Sequence, residues 1–438
     1  MTRDKLKPNL PPKNKADKRS PRVSLFQISE GLALGNLLIL FVSGLLFWTS
    51  ITSMLPTLPS YVKDLGGTTQ QVGWVMGAFA IGLLGSRTLL GNLADSHSRK
   101  IVLLIGSVVG GLAPLGYLGF HAIGELMAIR AFHGISIAAF TTGYSAMIVD
   151  LSPVKQRGEI VGYMSLTAPI GMALGPALGS LILEQEGYQL LFINASVLGF
   201  LSLLCTSRVR ADNCNVKKQL SQVNSQQLSQ SPRSFLQILL SPALNIPTLI
   251  MLLIGLVFGA LTSFLPLYLR YISIDFGAGT FYSSAAIASF LARFISGRAS
   301  DRYGRGVFIT LSLLFYTVSM ILLAMTRSPQ DFLLAAILEG AGAGVLIPTM
   351  ITLISDRSHS FERGRVYAIC IGGFDLGIAI AGPLLGNFGE TGYRSMFLVT
   401  AALGGMATML FLTLSNHTLI SSIKFGLGRG EDHYAIEK

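Results

Sequence analysis

The sequence predicts an all-α membrane protein whose twelve transmembrane helices form two pseudo-symmetric six-helix bundles. Composition is the first reason. Of its 438 residues, 51% are hydrophobic and only 13% are charged, whereas a soluble protein carries about 25% charged residues. Apolar stretches of roughly 20 residues, long enough to cross a bilayer core of about 30 Å, recur along nearly the whole chain.

An internal repeat is the second reason. The phrase that begins at Arg87 returns at Arg293, an offset of 206 positions, and its Arg, Gly, Asp and Arg keep their spacing. The same offset then relates three further pairs: Gly134 and Gly340, Asp150 and Asp356, and Arg157-Gly158 and Arg363-Gly364. A duplicated half made of membrane helices is the architecture of many transporters.

The apolar stretches predict six helices in each half. Those of the first half lie near 34–57, 71–92, 101–120, 125–148, 159–182 and 190–206. Those of the second half lie near 244–269, 280–298, 307–326, 331–354, 366–387 and 393–415.

Polar segments flank and separate these halves. Residues 1–29 hold several prolines, lysines and arginines, a composition that predicts a disordered cytoplasmic tail. Residues 207–235 are rich in Gln, Ser and Asn and predict a flexible cytoplasmic linker between the bundles 30–206 and 236–415. Residues 416–438 are expected to form a second cytoplasmic tail, and no cleavable signal peptide is recognised.

The distribution of charge orients the predicted helices. The net charge is +11, but its placement argues against a nucleic-acid partner. With both termini inside, the tails and inner loops hold most of the basic residues, and the outer loops hold only Lys63, Arg270, Arg327 and Arg394. This bias predicts a multi-pass protein of the plasma (inner) membrane with both termini cytoplasmic.

The repeated phrase also carries a family resemblance. Gly91-Asn-Leu-Ala-Asp95-Ser-His-Ser-Arg99-Lys100 resembles the loop signature of the major facilitator superfamily between helices 2 and 3. The second copy, Gly297 to Arg305, keeps a glycine at Gly304 where the first has Ser98. The resemblance covers about residues 30 to 415 and implies the major facilitator fold.

We interpret the two phrases as a conformational latch that comprises Gly91, Asp95, Arg99, Gly297, Asp301 and Arg305. The glycines permit close helix approach. Each aspartate lies at an inner helix end, where it can pair with a basic residue or cap a helix of the other half. Such a contact would tie the halves together in one conformation only. The alternative is a solvated turn that merely carries the positive-inside charge.

The fifth helix carries a second motif, which resembles the signature associated with drug and other antiporters of this superfamily. Gly171, Gly175 and Gly179 fall four residues apart on one helix face, and Pro176 lacks an N–H and can kink the helix. The resemblance implies a pivot that seals one side of the pathway. The alternative is generic packing of small residues.

Four charged or titratable residues are predicted inside the membrane. Arg130 and His133 belong to Arg130-Ala-Phe-His133-Gly134, which resembles another element of the superfamily. Asp375 and Glu339 are acids in helices eleven and ten, and either can exchange a proton as access alternates. His133 is the third proton-coupling candidate, because its imidazole can also take up and release a proton. We prefer Asp375, which lies nearer the expected midplane and has no acidic counterpart in the first half. Arg130 is a substrate or coupling candidate, and the alternatives for all four are packing or structural pairing.

These observations favour a proton-coupled exporter of small organic molecules. The export direction is implied by the resemblance of the fifth helix. A sugar or glycoside carrier is the alternative within transport, and a non-transporting receptor or scaffold is the alternative outside it. No nucleotide-binding loop, metal cluster or nucleophile motif is recognised, so we expect neither an enzyme nor a cofactor or metal. The expected partners are a small organic substrate, protons and the lipid bilayer, with the protein acting as a monomer.

Overall fold

The structure, a computed structural model, describes residues 25–153, 156–209, 235–359 and 362–436. Within these ranges it leaves the side chains of residues 25–33, 95, 158, 235, 298, 301 and 389–391 undescribed. Most of the predicted N-terminal tail and of the predicted linker therefore lies outside the described residues.

Fifteen α-helices make up the described part of the chain. They are α1 (Leu25–Ser53), α2 (Leu58–Asp64), α3 (Thr69–Ser96), α4 (Arg99–Gly119), α5 (Ile123–Leu151), α6 (Arg157–Met164), α7 (Thr167–Arg208), α8 (Phe235–Leu239), α9 (Asn245–Ile272), α10 (Ala278–Tyr303), α11 (Arg305–Met325), α12 (Pro329–Asp356), α13 (Arg363–Thr391), α14 (Tyr393–Leu414) and α15 (Leu419–Gly426).

These helices provide twelve crossings. Ten segments are long and apolar enough to span a membrane. One of them, which contains α6 and α7, supplies two crossings, because Gly187 (φ +80°) breaks the helix there. The more polar α10 is the twelfth. The fold class predicted from the repeat is confirmed.

The two halves repeat one packing scheme. In the first, α1 packs on α7, α3 on α5, and α4 on both α5 and α7; in the second, α9 packs on α13, α10 on α12, and α11 on both α12 and α14. Equivalent tyrosine hydrogen bonds support this correspondence between the halves. In the first half, the Tyr61 hydroxyl donates to the Tyr117 carbonyl (2.7 Å). In the second half, the Tyr268 hydroxyl donates to the carbonyl of Leu323 (3.0 Å), which lies 206 positions after Tyr117.

The glycines of the fifth-helix motif pack inside the first half. A β-carbon on Gly171 would lie 2.5 Å from the Trp48 Cβ, and one on Gly175 would lie 2.8 Å from the Thr49 carbonyl oxygen. Gly179 lies directly on the backbone of Ser53. This stripe therefore brings the backbones of α7 and α1 together, as small residues do in membrane helix pairs.

The two signature loops lie on one face of the molecule, which we call the signature face. In each half, the arginine that follows the loop pairs with an aspartate at or next to the end of the neighbouring helix. Arg99 pairs with Asp150, and Arg305 pairs with Asp356. The loop backbones differ. Gly304 has a φ of +89°, which favours glycine, whereas Ser98 is extended with a φ of −162°.

A C-terminal strap, residues 415–436, folds onto the signature face of the second half. Its anchor is Arg357, whose side chain is fully buried. The guanidinium donates two hydrogen bonds to the Asp432 carboxylate (2.8 and 2.9 Å) and others to the carbonyls of Ser415 and Ala243. The residues predicted as a C-terminal tail are thus packed against the bundle as far as the structure describes them.

The fit of Gly179 against α1 gives a prediction about stability. We expect Gly179→Ala to lower the free energy of unfolding by about 1–3 kcal/mol, because the added methyl group meets backbone atoms that cannot move aside. Thermal melting in detergent measures the effect. The matched control is Gly162→Ala, since a β-carbon there would meet open space. Equal melting temperatures for the two variants would contradict the close-packing argument.

Candidate functional site

The two halves meet on the face opposite the signature loops. Gln70 of α3 donates from its side-chain amide to the Pro383 carbonyl of α13 (2.8 Å). Close by, Gly73 and Gly382 bring the two backbones together, because a β-carbon on Gly73 would lie 2.8 Å from the Gly382 Cα. This first contact seals α3 of one half against α13 of the other.

A second and a third contact complete this seal. The Ser283 hydroxyl of α10 donates to the Ala173 carbonyl of α7 (2.7 Å). At the end of α2, Asp64 accepts from Arg270 of α9 (2.8 Å) and from the Tyr188 hydroxyl (2.6 Å). The molecule is therefore closed on the face opposite the signature loops.

Gly73 and Gly382, which form this seal, were not among the predicted site residues. The sealing role predicted for the fifth-helix motif stays a prediction. Its glycines pack on α1, while its Pro176 carbonyl oxygen would lie 2.7 Å from a β-carbon on Gly279 of α10. Gly73 and Gly77 lie four residues apart on one face of α3, and Gly77 meets Ala379 of α13. That spacing was the signal available in the sequence.

A cavity of about 110 Å³ lies between the halves. Its charged lining residues are Glu339 and Arg293, and its neutral polar ones include Thr52, Tyr282 and Ser289. The remaining wall is apolar or small: Leu55, Ala168, Pro169, Met172, Pro176, Phe258, Leu261, Ala285, Ala286, Gly340 and Ala343. Both charges thus come from the second half, and the first half supplies mainly an apolar wall.

Glu339 is the acid of this cavity. Its side chain is only 4% exposed, and its Oε1 has no hydrogen-bond partner among the described residues. The glycine that follows it, Gly340, packs on the backbone of Ala285 and so holds α12 close to α10. Glu339 stands 206 positions after His133, so these two of the three predicted proton-coupling candidates occupy equivalent places in the repeat.

His133 and Arg130 lie inside the first half and are absent from the cavity lining. The Arg130 guanidinium carbon is 4.3 Å from the centre of the Phe79 ring, and the His133 ring packs edge-on against the same ring (5.7 Å). Both side chains are buried, and neither His133 ring nitrogen has a hydrogen-bond partner among the described residues. Gly134 packs on the Phe79 carbonyl and brings α5 against α3.

Asp375 joins the halves. Its Oδ2 is 2.7 Å from Nη1 of Arg87, which is on α3, and the carboxylate side chain is 13% exposed. Asp375 lies seven residues from Gly382, roughly 10 Å along α13 towards the signature face. It is outside the cavity lining. Arg87 was not predicted as a site residue, although it recurs as Arg293 four residues before the signature glycine.

The predicted latch residues lie on the signature face. Gly91 and Gly297 face open space, since a β-carbon on either would have no neighbour within 4 Å. Arg99 and Arg305 are paired within their own halves. The side chains of Asp95 and Asp301 lie outside the described residues, so the latch stays a prediction.

Comparison with known proteins gives a family and relatives. The model of the Major Facilitator Superfamily matches residues 40–329 and 269–426. Multidrug resistance protein MdtG of Escherichia fergusonii is 27% identical over 383 residues, which cover 84% of this chain and 91% of that protein. MdtG of Salmonella typhi is 28% identical over 382 residues, covering 84% and 92%.

Solved structures share the fold. The nucleoside transporter NupG has a TM-score of 0.71 at 17% identity, covering 87% of this chain and all of that one. The xylose transporter XylE from E. coli, in an inward open conformation, has a TM-score of 0.69 at 14% identity, covering 89% and 98%.

The Arg87–Asp375 ion pair gives a prediction about conformation. We expect Arg87→Gln and Asp375→Asn each to loosen the seal. In the double variant the effects should not add, because each substitution alone already removes the same ion pair. The coupling energy should be on the order of 1 kcal/mol. Labelling of an Ala379→Cys probe by a membrane-impermeant thiol reagent, after Cys205, Cys214 and Cys370 are changed to Ser, measures opening. The charge exchange Arg87→Asp with Asp375→Arg should restore low labelling. Additive effects would show that the two residues act separately.

Proposed function

Since the chain belongs to the major facilitator superfamily and is therefore a membrane transporter, we propose that it exports small organic molecules in exchange for protons by alternating access. The observation that carries this proposal is the cavity between the halves, closed on the face opposite the signature loops and lined by the buried acid Glu339. The multidrug resistance proteins among its relatives support export.

The positive-inside bias supports a cytoplasmic signature face. The seal between α3 and α13 then lies towards the outside, and the arrangement described here is the one that takes substrate from the cytoplasm. Opening this seal and closing the signature face would complete the cycle. Asp95 and Asp301 would hold the halves together in that second state, while the glycine stripe on α7 would let α7 pivot on α1.

Glu339 is the proton carrier that the geometry supports best. Glu339 forms no ion pair with any side chain that the structure describes, and a buried carboxylate in an apolar wall requires a proton or a cation to compensate its charge. Asp375 already has such a partner in Arg87. His133 and Arg130 lie within the first half, where a substrate in the cavity does not reach them.

The cavity wall also favours an exporter of partly apolar molecules over a sugar carrier. A sugar needs many hydrogen-bonding groups around it, because each buried hydroxyl left unpaired costs about 1–3 kcal/mol. Among the described lining residues the neutral side-chain groups able to hydrogen-bond are those of Thr52, Tyr282 and Ser289. A single chain contains both halves and the whole cavity, which supports a monomer as the working unit.

Replacement of Glu339 tests the proton site. We expect Glu339→Gln to reduce pH-gradient-driven transport in sealed vesicles to the background of empty vesicles, because an amide keeps the shape but cannot carry a proton. Exchange of labelled for unlabelled substrate without a gradient should persist. Asp375→Asn is the comparison, expected to alter the rate while leaving coupling to the gradient. If gradient-driven transport survives in Glu339→Gln and disappears in Asp375→Asn, Asp375 is the carrier.

Orientation has its own test. We expect single cysteines placed within residues 210–230 to react with an impermeant reagent only from the cytoplasmic side. A cysteine at Lys63 should react only from outside, since the outer loops are those poor in basic residues. The opposite pattern in intact cells would reverse the topology and the direction of transport proposed here.

A further inference from the structure

The repeat gives Arg87 an equivalent in the second half. Arg87 and Arg293 are 206 positions apart, and each lies four residues before a signature glycine. Arg87 reaches across the halves to a carboxylate, Asp375 of α13. Arg293 is on α10, which packs against α7 of the first half. In the repeat, α7 therefore stands beside Arg293 as α13 stands beside Arg87.

The carboxylate is missing on that side. The residue 206 positions before Asp375 is Pro169, preceded by Ala168, and both line the central cavity together with Arg293. Arg293 donates from Nε to the Gly344 carbonyl (3.3 Å) and forms no ion pair with any described side chain. Arg87 thus has a carboxylate partner in the other half, whereas the cavity occupies the corresponding place beside Arg293.

The other charge of the cavity lies a short distance away. Gly340, next to Glu339, packs on Ala285, and Gly344, which accepts the Arg293 bond, packs on Ser289. Ala285 and Ser289 are four residues apart on α10, which corresponds to roughly 6 Å of helix rise. No ion pair is formed between Arg293 and Glu339. The wall around them is largely apolar.

We propose that the cavity binds a small zwitterion. Its anionic group binds Arg293, in the place that corresponds to that of Asp375 beside Arg87, and its cationic group binds Glu339. The planar guanidinium suits a carboxylate or phosphonate, which it can bind through two parallel N–H bonds. The apolar wall accommodates the carbon skeleton between the charges. The inference rests on the proposed function, because the cationic group and the exchanged proton compete for the same acid.

Three probes of one skeleton test this proposal: 4-(aminomethyl)benzoate, its methyl ester and its N-acetyl derivative. The first carries both charges, the second only the cation and the third only the anion. Titration calorimetry on the purified full-length protein should find the zwitterion bound at least about tenfold more tightly than either derivative. In Arg293→Gln the zwitterion should bind no more tightly than the ester.

A matched pair of variants tests the missing carboxylate directly. Pro169→Asp supplies to Arg293 the acid that Arg87 already has, so we expect the preference for the zwitterion over the ester to disappear. Pro169→Asn removes the same proline and adds a side chain of the same shape without charge, and should keep the preference. Thermal melting of both variants establishes that they are folded.

The outcomes separate this inference from the proposed function. Equal binding of the three probes, binding of none, or equal preferences in the two Pro169 variants overturns the zwitterion site. If the ester is nevertheless transported against a pH gradient and Glu339→Gln abolishes this, proton-coupled export stands alone. Arg293-dependent binding of the zwitterion without any gradient-driven transport keeps the site and removes the export proposal.

Discussion

Backbone contact through glycine is the constraint on which the rest of this structure depends. Helices in a bilayer gain little from hydrophobic association, because lipid is as apolar as their side chains. Close packing must then supply the attraction. Gly171, Gly175 and Gly179 hold α7 on α1 inside one half, and Gly73 and Gly382 hold the halves together.

The duplicated frame is used asymmetrically. Paired positions of the repeat keep their structural tasks, as the Arg99–Asp150 and Arg305–Asp356 pairs demonstrate. Positions around the cavity differ between the halves: His133 is enclosed among aromatic rings, whereas its equivalent Glu339 faces the cavity. Local departures of this kind make the cavity chemically asymmetric, while the shared positions keep the packing of the two halves alike.

The fold could be predicted because its signals are local or repeated. Hydropathy locates the helices, and the offset of 206 positions relates the halves. Glu339 and Asp375 could both be named as candidates because an acid inside an apolar helix is rare, but the preference for Asp375 did not anticipate its ion pair with Arg87. The Arg87–Asp375 contact could not be predicted, since it joins residues 288 positions apart and depends on the register between two separately packed bundles. Nothing in the spacing of the α7 glycines states which neighbour they meet, and nothing in the composition of residues 416–438, predicted as a cytoplasmic tail, indicates that they pack on the second half.

The strap also has a consequence for the order of assembly. Asp432, which pairs with the buried Arg357, comes after all the described long helices in the chain. Since chains fold from the N-terminus onwards, the first half can finish packing before Asp432 has been synthesised. The second half, by contrast, keeps an unneutralised arginine at its signature face until Asp432 has been added and the strap has folded. A truncation before Asp432 would thus leave every described long helix intact and this bundle unfinished.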